Sequence, residues 1–172
     1  MKVFFATLFG LFCLTSCVKQ EVGDFKLQYN KVFTISAGSS TTFINVVDFY
    51  QRTGWDNFLS GNALKSTDIS RVTVASISVA PLLANEISYR FIEEIKVFIL
   101  NPVDPKSKLQ IGSAYPQPNE RISNLFLLPG IADIKDYISL DEVRFQIEIR
   151  YRELITSNSD HNLELQFNVF KN

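Results

Sequence analysis

Between residues 143 and 151, Val143, Phe145, Ile147, Ile149 and Tyr151 alternate with Arg144, Gln146, Glu148 and Arg150. Alternation with period two sends the apolar residues to one face of an extended strand and the polar ones to the other. Residues 163–169 repeat it, with Leu163, Leu165, Phe167 and Val169 set against Glu164, Gln166 and Asn168. The polar run Thr156-Ser157-Asn158-Ser159-Asp160 between the two reads as a hairpin loop. Antiparallel pairing with both apolar rows on one side requires the numbers of facing residues to sum to an even value, for instance Ile149 opposite Leu165, with Arg150 then opposite Glu164. A slip of one residue would turn a whole apolar row outward, at roughly 1.5–3 kcal/mol per side chain, which rivals the ~5–15 kcal/mol stability of a domain.

The rest of the chain carries shorter versions of the same pattern. Phe25, Leu27 and Tyr29 alternate with Lys26 and Gln28, and residues 32–35 resume an extended pattern, predicting two short strands or one bent one. Residues 41–48 are strand-like, 51–57 form a polar loop carrying the single tryptophan, and 57–68 hold one or two helical turns broken by Gly61. Over 71–80 the apolar set moves from Val72 and Val74 to Ile77 and Val79, the phase change that a β-bulge produces. Residues 89–95 suit a single helical turn. Residues 95–100 suit a strand buried on both faces, stopped by Asn101-Pro102 and Asp104-Pro105. Residues 109–111 read as a short edge strand and 124–128 as a strand ending at Pro129-Gly130. Residues 133–139 suit a helical turn with Asp133 at its amino end. Short strands punctuated by turns, with one or two helical turns, predict an all-β chain folded as a single antiparallel β-sandwich of immunoglobulin-like, Greek-key type. A closed barrel is the alternative.

Seventeen basic and eighteen acidic residues leave no single-sign field that would attract nucleic acid. The only cysteines are Cys13 and Cys17, so residues 18–172 have neither a disulfide nor a thiolate metal site to stabilise them. Stability rests on the apolar core, and 46% hydrophobic residues over 172 positions suffice for one domain.

Met1-Lys2 is a short positive end, and residues 3–14 form an apolar run too short to span a bilayer, which reads as a secretory signal. Leu14-Thr15-Ser16-Cys17 follows directly and resembles the lipobox of bacterial lipoproteins. That resemblance implies cleavage before Cys17 and acylation of its thiol and new amino group, giving a signal peptide over 1–16, a lipidated tether over 17–24 and a β-sandwich domain over 25–172. Two or more acyl chains, at about 0.8 kcal/mol per buried methylene, hold a protein durably on a membrane without spanning it. Val18 in place of an aspartate resembles the outer-membrane sorting signal of proteobacterial lipoproteins, whereas Lys19 and Glu21 resemble the surface-export signal of lipoproteins from Bacteroidota. With the strand run at 71–80, the Glu-Ile-Lys-Val-Phe-Ile strand at 94–99, the Asp-Ile-Lys-Asp-Tyr-Ile turn at 133–138 and two long closing strands, most of the chain resembles small secreted lipoproteins of Bacteroidota of uncharacterised role. That resemblance implies fold and location, and carries no catalytic signature.

No GxSxG, GxGxxG, P-loop or HExxH pattern occurs. His161, the single histidine, reads as a solvated residue of the closing loop beside Asp160, although a hydrolase built on either with a remote serine is conceivable. The acidic pairs Glu93-Glu94, Asp133 with Asp136, and Asp141-Glu142 lack the cleft-flanking placement that glycoside hydrolysis needs, and no EF-hand spacing offers a calcium site. Trp55, Tyr50 and Tyr115 are the candidate ligand-binding residues, as an aromatic platform for a sugar or a partner protein. The preferred reading is that such rings close the end of the core. The expectation is a non-enzymatic, lipid-anchored envelope protein, probing neither cofactor nor metal, that meets the membrane through acyl chains on Cys17 and binds another envelope protein or a glycan. A small envelope hydrolase and a subunit of a surface fibre are the alternatives.

Overall fold

A computed structural model describes residues 22–83, 88–101, 107–119 and 122–172. The signal segment, Cys17 and most of the tether lie outside them. Eight strands form in chain order: β1 (Phe25–Ile35), β2 (Asn45–Arg52), β3 (Ile69–Pro81), β4 (Ile92–Leu100), β5 (Lys108–Ala114), β6 (Leu125–Pro129), β7 (Glu142–Tyr151) and β8 (Ser159–Lys171). Helices α1 (Trp55–Gly61) and α2 (Lys135–Ile138) and two 3-10 turns, Ser66–Asp68 and Tyr89–Phe91, fill the connections. The chain is all-β and antiparallel, as its period-two pattern requires.

Hydrogen bonding is continuous through one sheet in the order β1-β8-β3-β6-β5-β4-β7-β2. The join between β6 and β5 is only two residue pairs, Gly112 with Pro129 and Ser113 with Leu128. At this corner a Cβ on Gly112 would lie 2.5 Å from the Ile77 Cδ1 methyl, so glycine lets the strand pass over a core side chain as the sheet bends. The bend folds β1-β8-β3-β6 over β5-β4-β7-β2, giving a nearly barrel-shaped sheet with one apolar cluster inside that includes Phe145, Phe167, Ile77 and Val97. The outermost strands approach without pairing. The Tyr29 hydroxyl donates to the Thr53 carbonyl at 2.8 Å, and the Lys31 ammonium sits 5.5 Å over the Phe49 ring.

The expected hairpin does not form. β7 pairs with β4 and β2, so Ile149 lies opposite Ile95 and Asn45, and Arg150 opposite Glu94. β8 pairs with β1 and β3, which places Leu165 opposite Tyr29 and Ile77, and Glu164 opposite Asn30 and Ser78. Both apolar rows still face the core, because alternation fixes which face is buried and says nothing about which strand lies alongside. Residues 152–158 cross from one half of the sheet to the other instead of making a tight turn.

The bulge expected in 71–80 is present, since Val74 pairs with Phe167 and Ser76 with Gln166, leaving Ala75 as the extra residue that restores Ile77 and Val79 to the core. β1 is one continuous strand of 11 residues. β2 begins at Asn45, past Phe43, which is 73% exposed. β5, expected at an edge, is interior, because β4 and β6 flank it. The Asp133 carboxylate accepts from Lys135 N–H at 2.9 Å and from Val72 N–H at 3.0 Å, starting α2 and tying it to β3. At the start of the body, a Cβ on Gly23 would come within 2.8 Å of Asn168 Cβ, and the Asp24 carboxylate accepts from Lys171 N–H at 2.8 Å. The last tether residues are therefore seated on β8.

Candidate functional site

The crossover from β7 to β8 leaves a cleft of about 640 Å³ at one end of the sheet. Its walls come from Tyr89–Phe91, from residues 122–123 and from the crossover, with Arg90, Ser123, Glu153, Thr156, Ser157 and Ser159 facing it. The crossover is polar because it runs over the surface, and it is tied at its middle and near its far end. Gly38 N–H donates to the Ile155 carbonyl at 2.8 Å, and Ala37 N–H donates to the Asn158 side-chain oxygen at 2.7 Å. Gly38 takes φ +75°, a conformation open to glycine and strained for other residues, which aims its N–H at the crossover.

Arg152 holds the opposite wall. Its guanidinium donates to the carbonyls of Arg90 at 3.1 Å, Ile92 at 2.5 Å and Pro116 at 2.8 Å, and its N–H donates to the Phe91 carbonyl at 2.8 Å. Hydrogen bonds to a charged group contribute roughly 1.5–3 kcal/mol each net of competition with water, and less where the bond is exposed, as the one to Arg90 is. Arg152→Ala is expected to lower unfolding stability by about 2 kcal/mol, measured by urea denaturation, with the fastest amide exchange gained at residues 89–92. A loss below about 0.5 kcal/mol, the level of an ordinary surface change, would show that the three bonds do not hold the wall.

His161 lies behind the cleft, fully buried on β8. The expected solvated loop position is therefore incorrect. Ser159, His161 and Leu163 share one phase of the strand, and the row that buries Leu163, Leu165 and Phe167 also carries the imidazole inward. Its two ring nitrogens are both engaged: Nε2 lies 2.8 Å from the Ser159 hydroxyl and Nδ1 lies 2.9 Å from the Tyr89 hydroxyl. Burial lowers the imidazole pKa to about 4, opposed by the Asp160 charge, and burial raises the Tyr89 phenol above its ordinary value. The Asp160 side chain points the other way, to solvent, and accepts from the Thr34 hydroxyl at 2.6 Å.

No family model matches this chain, and no curated protein is significantly similar to it. The reading of the site therefore rests on its own geometry. A serine hydroxyl on a histidine nitrogen is the arrangement of a nucleophile and its base, but the third group here is a neutral phenol where a carboxylate would hold the developing imidazolium. With a conjugate acid near 4, His161 is a weak acceptor for a serine proton. Among the described residues no cluster of three His, Cys, Asp or Glu side chains could hold a metal ion, and no helix is long and apolar enough to cross a membrane.

The three aromatic residues singled out in the sequence do not form one platform. Trp55 is 3% exposed, opens α1 and stacks on Phe58 with ring centroids 5.6 Å apart, so it belongs to the core and offers no face to a ligand. Tyr50 is exposed on β2 beside Arg144 and borders a smaller hollow of about 230 Å³ with Leu100 and Glu142. Tyr115 is exposed and shares hydrogen bonding with Glu94 and Lys96, at the other end of β4 from Leu100. The outward row on β7 is partly exposed and carries ion pairs, Arg144 with Asp48 of β2 at 3.0 Å and Glu148 with Lys108, which reaches over β4 from β5. Sequence reading did not find the cleft, because its parts come from three segments each about thirty residues from the next. The parity of His161 with Leu163 was the one available signal.

Proposed function

We propose that this protein is a lipid-anchored, non-enzymatic binding module of the bacterial cell envelope, and that the cleft at the β7–β8 crossover is its binding site. The observation that carries the binding role is the cleft itself: about 640 Å³, within the ~300–1,000 Å³ of ligand sites, and walled by segments pinned through backbone hydrogen bonds. The anchor is supported by the Leu14-Thr15-Ser16-Cys17 resemblance and by the apolar run before it. In this reading the two four-strand halves of the curled sheet are the layers of an immunoglobulin-like sandwich.

Two measurements test it. Cys17→Ser should move the protein from the membrane to the soluble fraction; continued sedimentation with membranes would remove the anchor. Detergent-solubilised full-length protein should retain an envelope component that Ser157→Trp, which fills the cleft from an exposed position, releases. Identical retention by both proteins would remove the cleft as the site.

A second reading, a small envelope hydrolase, is favoured by the 2.8 Å contact between Ser159 and His161 at the cleft wall. Covalent labelling of the wild type by a fluorophosphonate, lost in Ser159→Ala, would establish it. The weak basicity of His161 predicts no labelling.

A further inference from the structure

We infer that the ligand of this cleft is an uncharged carbohydrate. The inference rests on the binding role proposed above and names the ligand class for the same site. Its first support is charge. Among the described residues, Arg90 and Glu153 are the two formally charged ones that line the cleft; both are exposed, and neither enters an ion pair there. Within the described lining one positive and one negative group balance, which favours a neutral ligand over a phosphate, a polyanion or a metal cation.

Its second support is the lining chemistry. Ser123, Thr156 and Ser157 offer hydroxyls that both donate and accept, which matches the hydroxyls of a sugar ring. A guanidinium fork donates to two neighbouring oxygens, and a carboxylate accepts from two neighbouring hydroxyls, so Arg90 and Glu153 suit vicinal diols as donor and acceptor respectively. Phe91 and Leu154 supply limited apolar surface for the C–H face of a ring.

Other ligand classes fit less well. An apolar small molecule is held by enclosed, mainly hydrophobic walls, whereas this cleft is open and rich in hydroxyls. An extended peptide takes its affinity from pairing with a free strand edge, and the outermost edges belong to β1 and β2 while the cleft is walled by Tyr89–Phe91, 122–123 and the crossover. The bonds from Arg152, Gly38 and Ala37 keep the walls in place before a ligand arrives, which lowers the ordering cost of binding a flexible sugar.

The test uses full-length protein in detergent micelles against defined neutral oligosaccharides, anionic oligosaccharides and short peptides, read by calorimetric titration. A neutral oligosaccharide is expected to bind with little dependence on salt. Arg90→Ala and Glu153→Ala should each weaken it about tenfold or more, with unfolding temperatures unchanged because both side chains are exposed. Binding restricted to anionic sugars or peptides, absence of binding to any neutral sugar, or affinities unaltered in both variants would overturn the inference. Retention of an envelope protein that Ser157→Trp releases, with no sugar bound, would overturn the carbohydrate inference and leave the binding role standing.

Discussion

Phe167→Ala is expected to destabilise the fold by about 3–5 kcal/mol, enough to lower the unfolding temperature by roughly 10 °C for a chain of this size. Phe167 is fully buried at the centre of β8, paired with Leu27 on β1 and Val74 on β3, with the Tyr29 ring 5.6 Å away. Removing its ring empties a space bounded by three strands, and a sheet held at this point on both sides has little freedom to collapse into it. Phe126→Ala is the control. Phe126 is 70% exposed on the outward face of β6, and its truncation should alter stability by about 0.5 kcal/mol or less. Urea midpoints for the two variants that differ little would show that Phe167 does not sit inside the curled sheet.

The second large effect is a loss of stability in acid caused by one residue. His161 is neutral in the folded protein with a pKa of about 4, whereas in the unfolded chain it titrates near 6.5. Between those values the unfolded state binds a proton that the folded state does not, so stability falls as pH falls, by up to about 1.4 kcal/mol per pH unit. Above pH 6.5 this group contributes no slope. The total, about 3 kcal/mol between pH 6.5 and 4, is a large part of a domain's margin. His161→Gln keeps a donor and an acceptor near Ser159 and Tyr89 but does not titrate, so it should flatten this part of the profile. Glu94, whose carboxyl is pushed up by burial but held below its ordinary pKa by hydrogen bonds from Lys96 and Tyr115 together with the charges of Lys96 and Arg150, adds its own acid loss in both proteins. Chemical denaturation at several pH values separates the two. Equal slopes for wild type and His161→Gln would mean that the imidazole is not buried as described.

What the sequence made legible and what it hid divide along a physical line. Period-two alternation, the phase change at Ala75 and the helical spacing near Asp133 depend on residues close in the chain, and each appears where the pattern placed it. Strand partners depend on contacts distant in sequence. Ile149 is apolar whether Leu165 or Ile95 lies beside it, so the crossing of residues 152–158 between halves left no local mark. The cleft depends on that crossing, and it was hidden for the same reason. Trp55 follows the reading in which such rings close the end of the core: Gln51, Arg52, Asp56 and Asn57 surround it in sequence, while in space the helix turns its indole onto Phe58 and the core.

The incomplete closure of the sheet has a bearing on how the molecule behaves in a crowded setting. Unpaired strand rims invite foreign strands, and proteins defend them with charge or by covering them. Here the rims of β1 and β2 are drawn toward one another, bridged by Tyr29 to Thr53 and by Lys31 over Phe49, and each carries charged side chains such as Lys26 and Asp48. Each rim thus shields the other, and stacking of one copy against the next through main-chain pairing is disfavoured unless that bridge first opens.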